Sequence, residues 1–274
     1  MRVVPLEHAM DDLFFRFLMR DVISNFFAIL NLRYSREKTK FLLALESNEV
    51  IGYLLEHDDR IISLRGNAGC AAELLKMTDL ATPELNVEPA NFKTAKSFFE
   101  PTVPIGFRRA KINMISAMSV DKEHFRPIFK HSTQKLDESE FGALEVLYRK
   151  FYDEMTLGPI TNEQIGRIFN RCTKYGTTYG IYNGRDLVSF ASASIILKGI
   201  AHMAPVYTSP KFRRRGYATS ACSALVRELL RDNERTILFV SEDNVPALKV
   251  YEKIGFSRTG HVFLTFWGRK KESN

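Results

Sequence analysis

Residues 206–218, Val206-Tyr-Thr-Ser-Pro-Lys-Phe-Arg213-Arg214-Arg215-Gly216-Tyr217-Ala218, put three guanidinium groups beside a glycine and, two positions later, a small residue. At a helix start this is chemistry for an anion. The first amides of a helix have no partner within it, and the helix dipole adds partial positive charge there. Gly216 and Ala218 let a ligand approach the main chain, while the arginines add full charges and bidentate donors. The ligand that fits is a compact polyphosphate, with a pyrophosphate expected at Arg213, Arg214, Arg215, Gly216, Tyr217, Ala218 and Thr219. The string lacks the Lys-Ser/Thr ending of a Walker loop, and also the third glycine and later acid of a Rossmann fingerprint. Taken alone, it also describes a solvated basic turn.

A second string follows: Asn244-Val-Pro-Ala247-Leu-Lys-Val-Tyr251-Glu-Lys-Ile-Gly255-Phe256. Together, RxxGxA and NxxAxxxYxxxGF resemble the two signatures of the GNAT acyl-CoA-dependent N-acyltransferases, over about residues 133–270. The Tyr207-Thr-Ser-Pro210 lead-in is similar to the branch that includes glycine N-acyltransferase-like proteins. The resemblance implies acetyl-CoA as cosubstrate, with Asn244, Ala247 and Tyr251 on the second cofactor-binding helix. Pantetheine would lie along the strand through Val206, Tyr207 and Thr208, and the Val206 N–H would stabilise the oxyanion. Tyr251, protonated at neutral pH, would donate to the leaving thiolate; packing as a core tyrosine between Val250 and Ile254 is the other reading. The family often has a glutamate on this strand, and Ile200 to Thr208 contains no acid. His202 stands at an offset that resembles a histidine of some arylalkylamine acetyltransferases, and is taken as the base; Glu154, Asp153 or water are the alternatives. The implied reaction transfers a short acyl group by direct attack of a primary amine in a ternary complex. The acceptor is a small-molecule amine or a peptide or protein amino group. A non-catalytic acyl-CoA sensor or scaffold is the alternative.

The elements that must position these residues are legible from periodicity. In the second half, helical repeats at 137–155 and 161–175 precede strands at 177–182, 187–197 and 200–208, with an Asn183–Gly184 hairpin turn between the first two. A helix at 218–230, a strand at 236–240, a helix from Asn244 to Gly255 and a strand at 261–267 complete it. The first half repeats this order: helical runs at 6–31, strands at 40–46, 50–57 and 60–64, a helix to Met77, a strand near 84–88, a helix at 91–99 and a strand at 112–120. Its loop Gly66-Asn-Ala-Gly69-Cys-Ala71 keeps GxxGxA with Gly66 in the place of Arg213, and Phe98 stands where Tyr251 would be. The expected fold is therefore α/β (α+β): a tandem GNAT-like fold with a mixed, mostly antiparallel sheet flanked by helices. A degenerate domain at 1–128 and an N-acyltransferase domain at 129–274 are expected, divided near 120–135.

Composition agrees with a globular protein of 274 residues, 45% hydrophobic and 26% charged. The net charge of +7 sits mostly after residue 132, where 21 Lys and Arg face 15 Asp and Glu. One basic knot at Lys211 to Arg215 suits a polyphosphate better than a nucleic-acid stripe. Cys70, Cys172 and Cys222 are isolated, which argues against a disulfide scaffold and against a metal site. Charges interrupt the apolar run Leu13–Leu32, so a cytoplasmic protein without a membrane partner is expected. A homodimer is left open.

Overall fold

The hairpin expected at Asn183–Gly184 forms one residue further on: Asn183 pairs with Asp186, and Gly184 (φ +64°) and Arg185 make the two-residue turn. The same logic of alternation and turn chemistry organises the rest of the chain. The computed structural model describes residues 1–57, 61–77, 84–87, 107–154, 161–174, 176–197 and 199–269. Contacts divide the chain into unit 1 (Met1–Ala117, Ser241–Asp243, Thr259–Asn274) and unit 2 (Met118–Val240, Asn244–Arg258).

Unit 1 runs β1 (Arg2–Pro5), α1 (Asp11–Leu18), α2 (Phe26–Tyr34), β2 (Thr39–Glu46), β3 (Glu49–His57), β4 (Ile61–Arg65), α3 (Ala68–Lys76), β5 (Glu84–Val87) and β6 (Phe107–Asp121), the last residues of β6 belonging to unit 2. Strands β1 to β4 pair antiparallel in sequence order, and β4 pairs parallel with β5 across α3. The helical run expected at 6–31 is broken in two by Asn25, which is buried. Its Nδ2 donates to the Leu18 carbonyl at the end of α1 (2.9 Å), and its Oδ1 accepts from Tyr53 and Arg65. A buried amide with these partners is satisfied outside a continuous helix. The helix expected at 91–99, and Phe98 with it, lies outside the described residues.

Unit 2 contains β7 (Gln134–Lys135), α4 (Phe141–Glu154), α5 (Asn162–Lys174), β8 (Thr177–Asn183), β9 (Asp186–Leu197), β10 (Ile200–Thr208), α6 (Tyr217–Asp232), β11 (Arg235–Ser241) and α7 (Val245–Lys253). Thr161 and Gln164 start α5 with a reciprocal capping box (3.2 and 2.8 Å). Strands β7 to β10 are antiparallel, and β10 pairs parallel with β11 across α6. From its first strand to its parallel crossover, each unit follows β-α-α-β-β-β-α-β. In unit 2 one apolar cluster joins the sheet to α6 and α7 through Ala191, Met203, Leu225 and Tyr251. A second joins it to α4 through Leu147, Tyr148, Phe190 and Tyr207.

The last strand differs from the sequence reading. β12 (Ser257–Arg269) follows α7, and the division 1–128 and 129–274 keeps it in the second half. Its Phe263–Phe266 segment instead pairs antiparallel with Val87–Glu84 of β5, and contacts group Thr259 onward with unit 1. A strand edge with open amides gains a partner this way. Among the described residues, no helix is long and apolar enough to cross a membrane.

Candidate active site

The mouth of α6 is built around Gly216, which caps the helix at φ +90°, a left-handed conformation that favours glycine. Its side of the helix has no side-chain cap. The first helical bond is the one Ser220 donates to the Gly216 carbonyl (3.1 Å), so the amides of Tyr217, Ala218 and Thr219 precede the ladder. A Cβ at Gly216 would lie 3.2 Å from Lys130 Cδ, so the lack of a side chain matters for space as well as for backbone. Open amides, a sixteen-residue helix dipole and surrounding cations fit a phosphate group.

Beside this mouth the sheet opens. The β10–β11 ladder covers three pairs, Ile200↔Arg235 to His202↔Ile237, whereas the β10–β9 ladder continues to Thr208↔Ser189. The β9 register shifts at Met203 and again before Val206, which turns β10 where it leaves β11. Ser209 N–H donates to the Val188 carbonyl (2.9 Å). By antiparallel alternation, Tyr207 then faces its amide to β9, while Val206 and Thr208 face theirs away, toward the opened side.

Tyr251 of α7 is 8% exposed and belongs to the same apolar cluster as Met203, Val206 and Cys222. Burial, with Cys222 beside it, holds its phenol far above the ordinary value, so it is protonated at neutral pH. His202 is also buried, and burial lowers its imidazole to about 4. It is neutral at physiological pH and a weak base.

With the geometry in view, the relatives are informative. Residues 178–264 match the FR47-like protein family. A Drosophila protein of solved structure superposes with a TM-score of 0.68 at 16% identity, covering 96% of this chain and 98% of its own. A tandem GNAT protein from the clavulanic acid biosynthesis pathway gives 0.61 at 15% identity, over 100% and 99% of the two chains. A GNAT-family acetyltransferase from Colwellia psychrerythraea gives 0.62 at 12%, over 98% and 100%. Residues 178–264 are thus similar to the FR47-like family, and the chain shares its fold with solved GNAT proteins. No curated protein sequence matches it.

The GNAT fold sorts the residues singled out from the sequence. Gly216, Tyr217, Ala218 and Thr219 form the mouth together. Arg213 is turned elsewhere: its Nε donates to the Thr208 carbonyl (2.9 Å), its Nη2 meets Glu154 (2.6 Å), and its guanidinium lies over the Tyr207 ring. Arg214 (φ 60°) and Arg215 are exposed, and Arg215 lies over Phe212. Tyr207 points its hydroxyl to Glu154 (3.2 Å), and the Thr208 carbonyl is held by Arg213. Of the β10 residues expected along pantetheine, Val206 and Thr208 both turn their amides to the opened side, and Tyr207 does not. Asn244 spends its Oδ1 as the N-cap of α7, accepting from Ala247 N–H (3.2 Å). Glu154 is a poor base, because the Arg213 hydrogen bond lowers its pKa.

One part of the mouth escaped the sequence reading. Residues 124–131, expected at the divide between domains, run along unit 2 instead. Arg126 N–H bonds to the Ile254 carbonyl (3.0 Å), Ile128 N–H to Ser223 Oγ (3.0 Å), and Lys130 N–H to Ser220 Oγ (3.0 Å). A Cβ on Gly255 (φ +103°) would come 2.1 Å from the His124 carbonyl, so this motif glycine serves strap contact as well as helix termination. The paired serines on the buried face of α6 were the available signal.

Proposed function

We propose that unit 2 is an acyl-CoA-dependent N-acetyltransferase acting on a primary amine. The observation that carries this reading is the Gly216-capped mouth of α6 beside a parallel ladder that opens after His202. The acyl-CoA would supply a thioester carbon as the acyl donor. The amides of Tyr217, Ala218 and Thr219 would bind the pyrophosphate, and the Val206 N–H would take up negative charge on the acyl oxygen. Such a donor contributes about 3 kcal/mol. Tyr251, held protonated, would return a proton to sulfur. His202 is retained as the general base with its low basicity in view, water being the alternative. A small amine or a peptide or protein amino group remains the acceptor class, and the glycine N-acyltransferase-like lead-in 207–210 supports a small acceptor.

The burial of both Tyr251 and His202 favours a second reading, a non-catalytic acyl-CoA binder. Thiol release from acetyl-CoA with a panel of amines separates the two. The enzyme turns over, and Tyr251→Phe lowers kcat by about 10²–10⁴-fold with CoA affinity retained. Tight CoA binding with no turnover for any amine identifies the binder.

A further inference from the structure

The strap at 124–131 ends at the mouth. Its amides are fastened to Ser220 and Ser223, which are fully buried and one turn apart on α6. Buried hydroxyls with such partners fix a backbone rather than decorate it. The end of the strap is therefore held in place, with Lys130 and His131 beside Gly216. The Lys130 stem passes over Gly216, with Cδ 3.2 Å from where a Cβ would sit. The His131 ring stacks on Tyr217, centroids 4.0 Å apart at 19°, and its Nε2–H donates to the Arg215 carbonyl at 2.8 Å.

That last contact has a geometric consequence. A trans peptide is planar, with N–H opposed to C=O. Holding the Arg215 carbonyl toward the strap aims the Gly216 N–H the opposite way and fixes the rotation of the peptide at which the helix begins. The stack on Tyr217 pins the next residue. Lys130 adds a full positive charge at a place where Arg213, tied to Glu154 and Thr208, does not deliver one.

We propose that the strap is a wall of the phosphate site of acyl-CoA: His131 is a positioning residue for the Arg215–Gly216 peptide, and Lys130 is a binding residue for a phosphate. The proposal rests on the functional reading above and extends it to residues outside both motifs. It assigns the strap to the phosphate end of the cosubstrate and not to the thioester end.

The test uses the full chain, with CoA titrated calorimetrically and kinetics on acetyl-CoA and on S-acetylpantetheine, which has the thioester and no phosphate. Three variants divide the contacts. Lys130→Ala removes an exposed cation, His131→Phe keeps the stack without the donor, and His131→Gln keeps a donor without the ring. Lys130→Ala is expected to weaken CoA by about tenfold, the scale of one charged hydrogen bond. His131→Phe should raise KM for acetyl-CoA severalfold more than it changes kcat, and His131→Gln should recover part of that loss. None should alter kcat/KM for S-acetylpantetheine. Wild-type KM for acetyl-CoA in both Lys130→Ala and His131→Phe overturns the proposal, as does an equal loss on the phosphate-free thioester. A wild-type chain that does not bind CoA overturns the functional reading and this inference with it. Binding by wild type with all three variants unchanged overturns the inference alone.

Discussion

The passages β4–α3–β5 and β10–α6–β11 have the same order and the same parallel crossover, and they treat their helix starts in opposite ways. In unit 1 the residue before α3 is Asn67, whose Oδ1 accepts from the Cys70 amide at 2.9 Å. In unit 2 the corresponding residue is Gly216, with no side chain to offer. The helix starts therefore align Asn67 with Gly216, two residues away from the GxxGxA match that pairs Gly69 with it. The strands differ as well. The β4–β5 ladder runs from Ile61 to Leu64, almost the whole of β4, while β10 leaves β11 after three pairs. One unit satisfies its own helix amide and closes its sheet. The other leaves both open. At this position asparagine stabilises a helix by about 1 kcal/mol over alanine but by only a few tenths over glycine, so the uncapped start at Gly216 costs unit 2 little and leaves its first amides open.

The largest effect that tests this contrast is expected from Gly216→Val. The left-handed backbone and the nearby Lys130 both oppose a branched side chain, so CoA binding should fall by at least about 100-fold, around 3 kcal/mol. A dissociation constant unchanged in calorimetry would place the anion site elsewhere and end the comparison.

Next in size is acid sensitivity, expected in unit 2 through His202. Its ordinary value is 6.5, and burial lowers it to about 4. As pH falls, the unfolded chain binds this proton near 6.5, and the folded chain binds it only near 4. The stability from keeping the ring neutral is complete above that window and is lost on descending through it, by about 3 kcal/mol. Denaturant melts of wild type and His202→Leu at pH 7 and pH 4.5 should show a smaller acid loss in the variant. Parallel curves would mean that His202 is not the group responsible.

In unit 1, Asn67→Ala should cost about 1 kcal/mol of stability by chemical denaturation, with CoA affinity untouched. A change in CoA affinity would show that the capped mouth takes part in binding.

The smallest effect is expected at Arg213. Its partner Glu154 is on the surface, and the two side chains are 42% and 41% exposed, so the pair contributes at most about 1 kcal/mol. Because the guanidinium is already engaged, Arg213→Ala should weaken CoA by no more than about threefold. A loss of tenfold or more would return Arg213 to the phosphate, as the motif alone suggests.

Periodicity and turn chemistry carried most elements. The hairpin at Gly184–Arg185, one residue from its expected place, the box at Thr161 and Gln164 and the Asn244 cap are local, and local signals fix local structure. The Gly216 mouth was legible for the same reason, since a glycine before a helix needs only neighbours in sequence to become a cap. Asn25 was not legible as a break, because its partners Tyr53 and Arg65 come from strands far along the chain.

By itself, then, the sequence determined the order of the described elements from α1 to β6 and from α4 to β12, though not the short strands β1 and β7, and the residue types at the α6 mouth. The tertiary structure decided which of those residues face one another. It turned Arg213 to Glu154, buried Tyr251 against Cys222 and His202 within the sheet, and moved β12 to the edge of β5. It also laid 124–131 along α6 to bring Lys130 and His131 to Gly216. The physical reason is range. Caps, turns and amphipathic faces arise from residues a few positions apart, whereas side-chain partners and strand edges are chosen among groups far apart in the chain that only the assembled sheet brings within bonding distance.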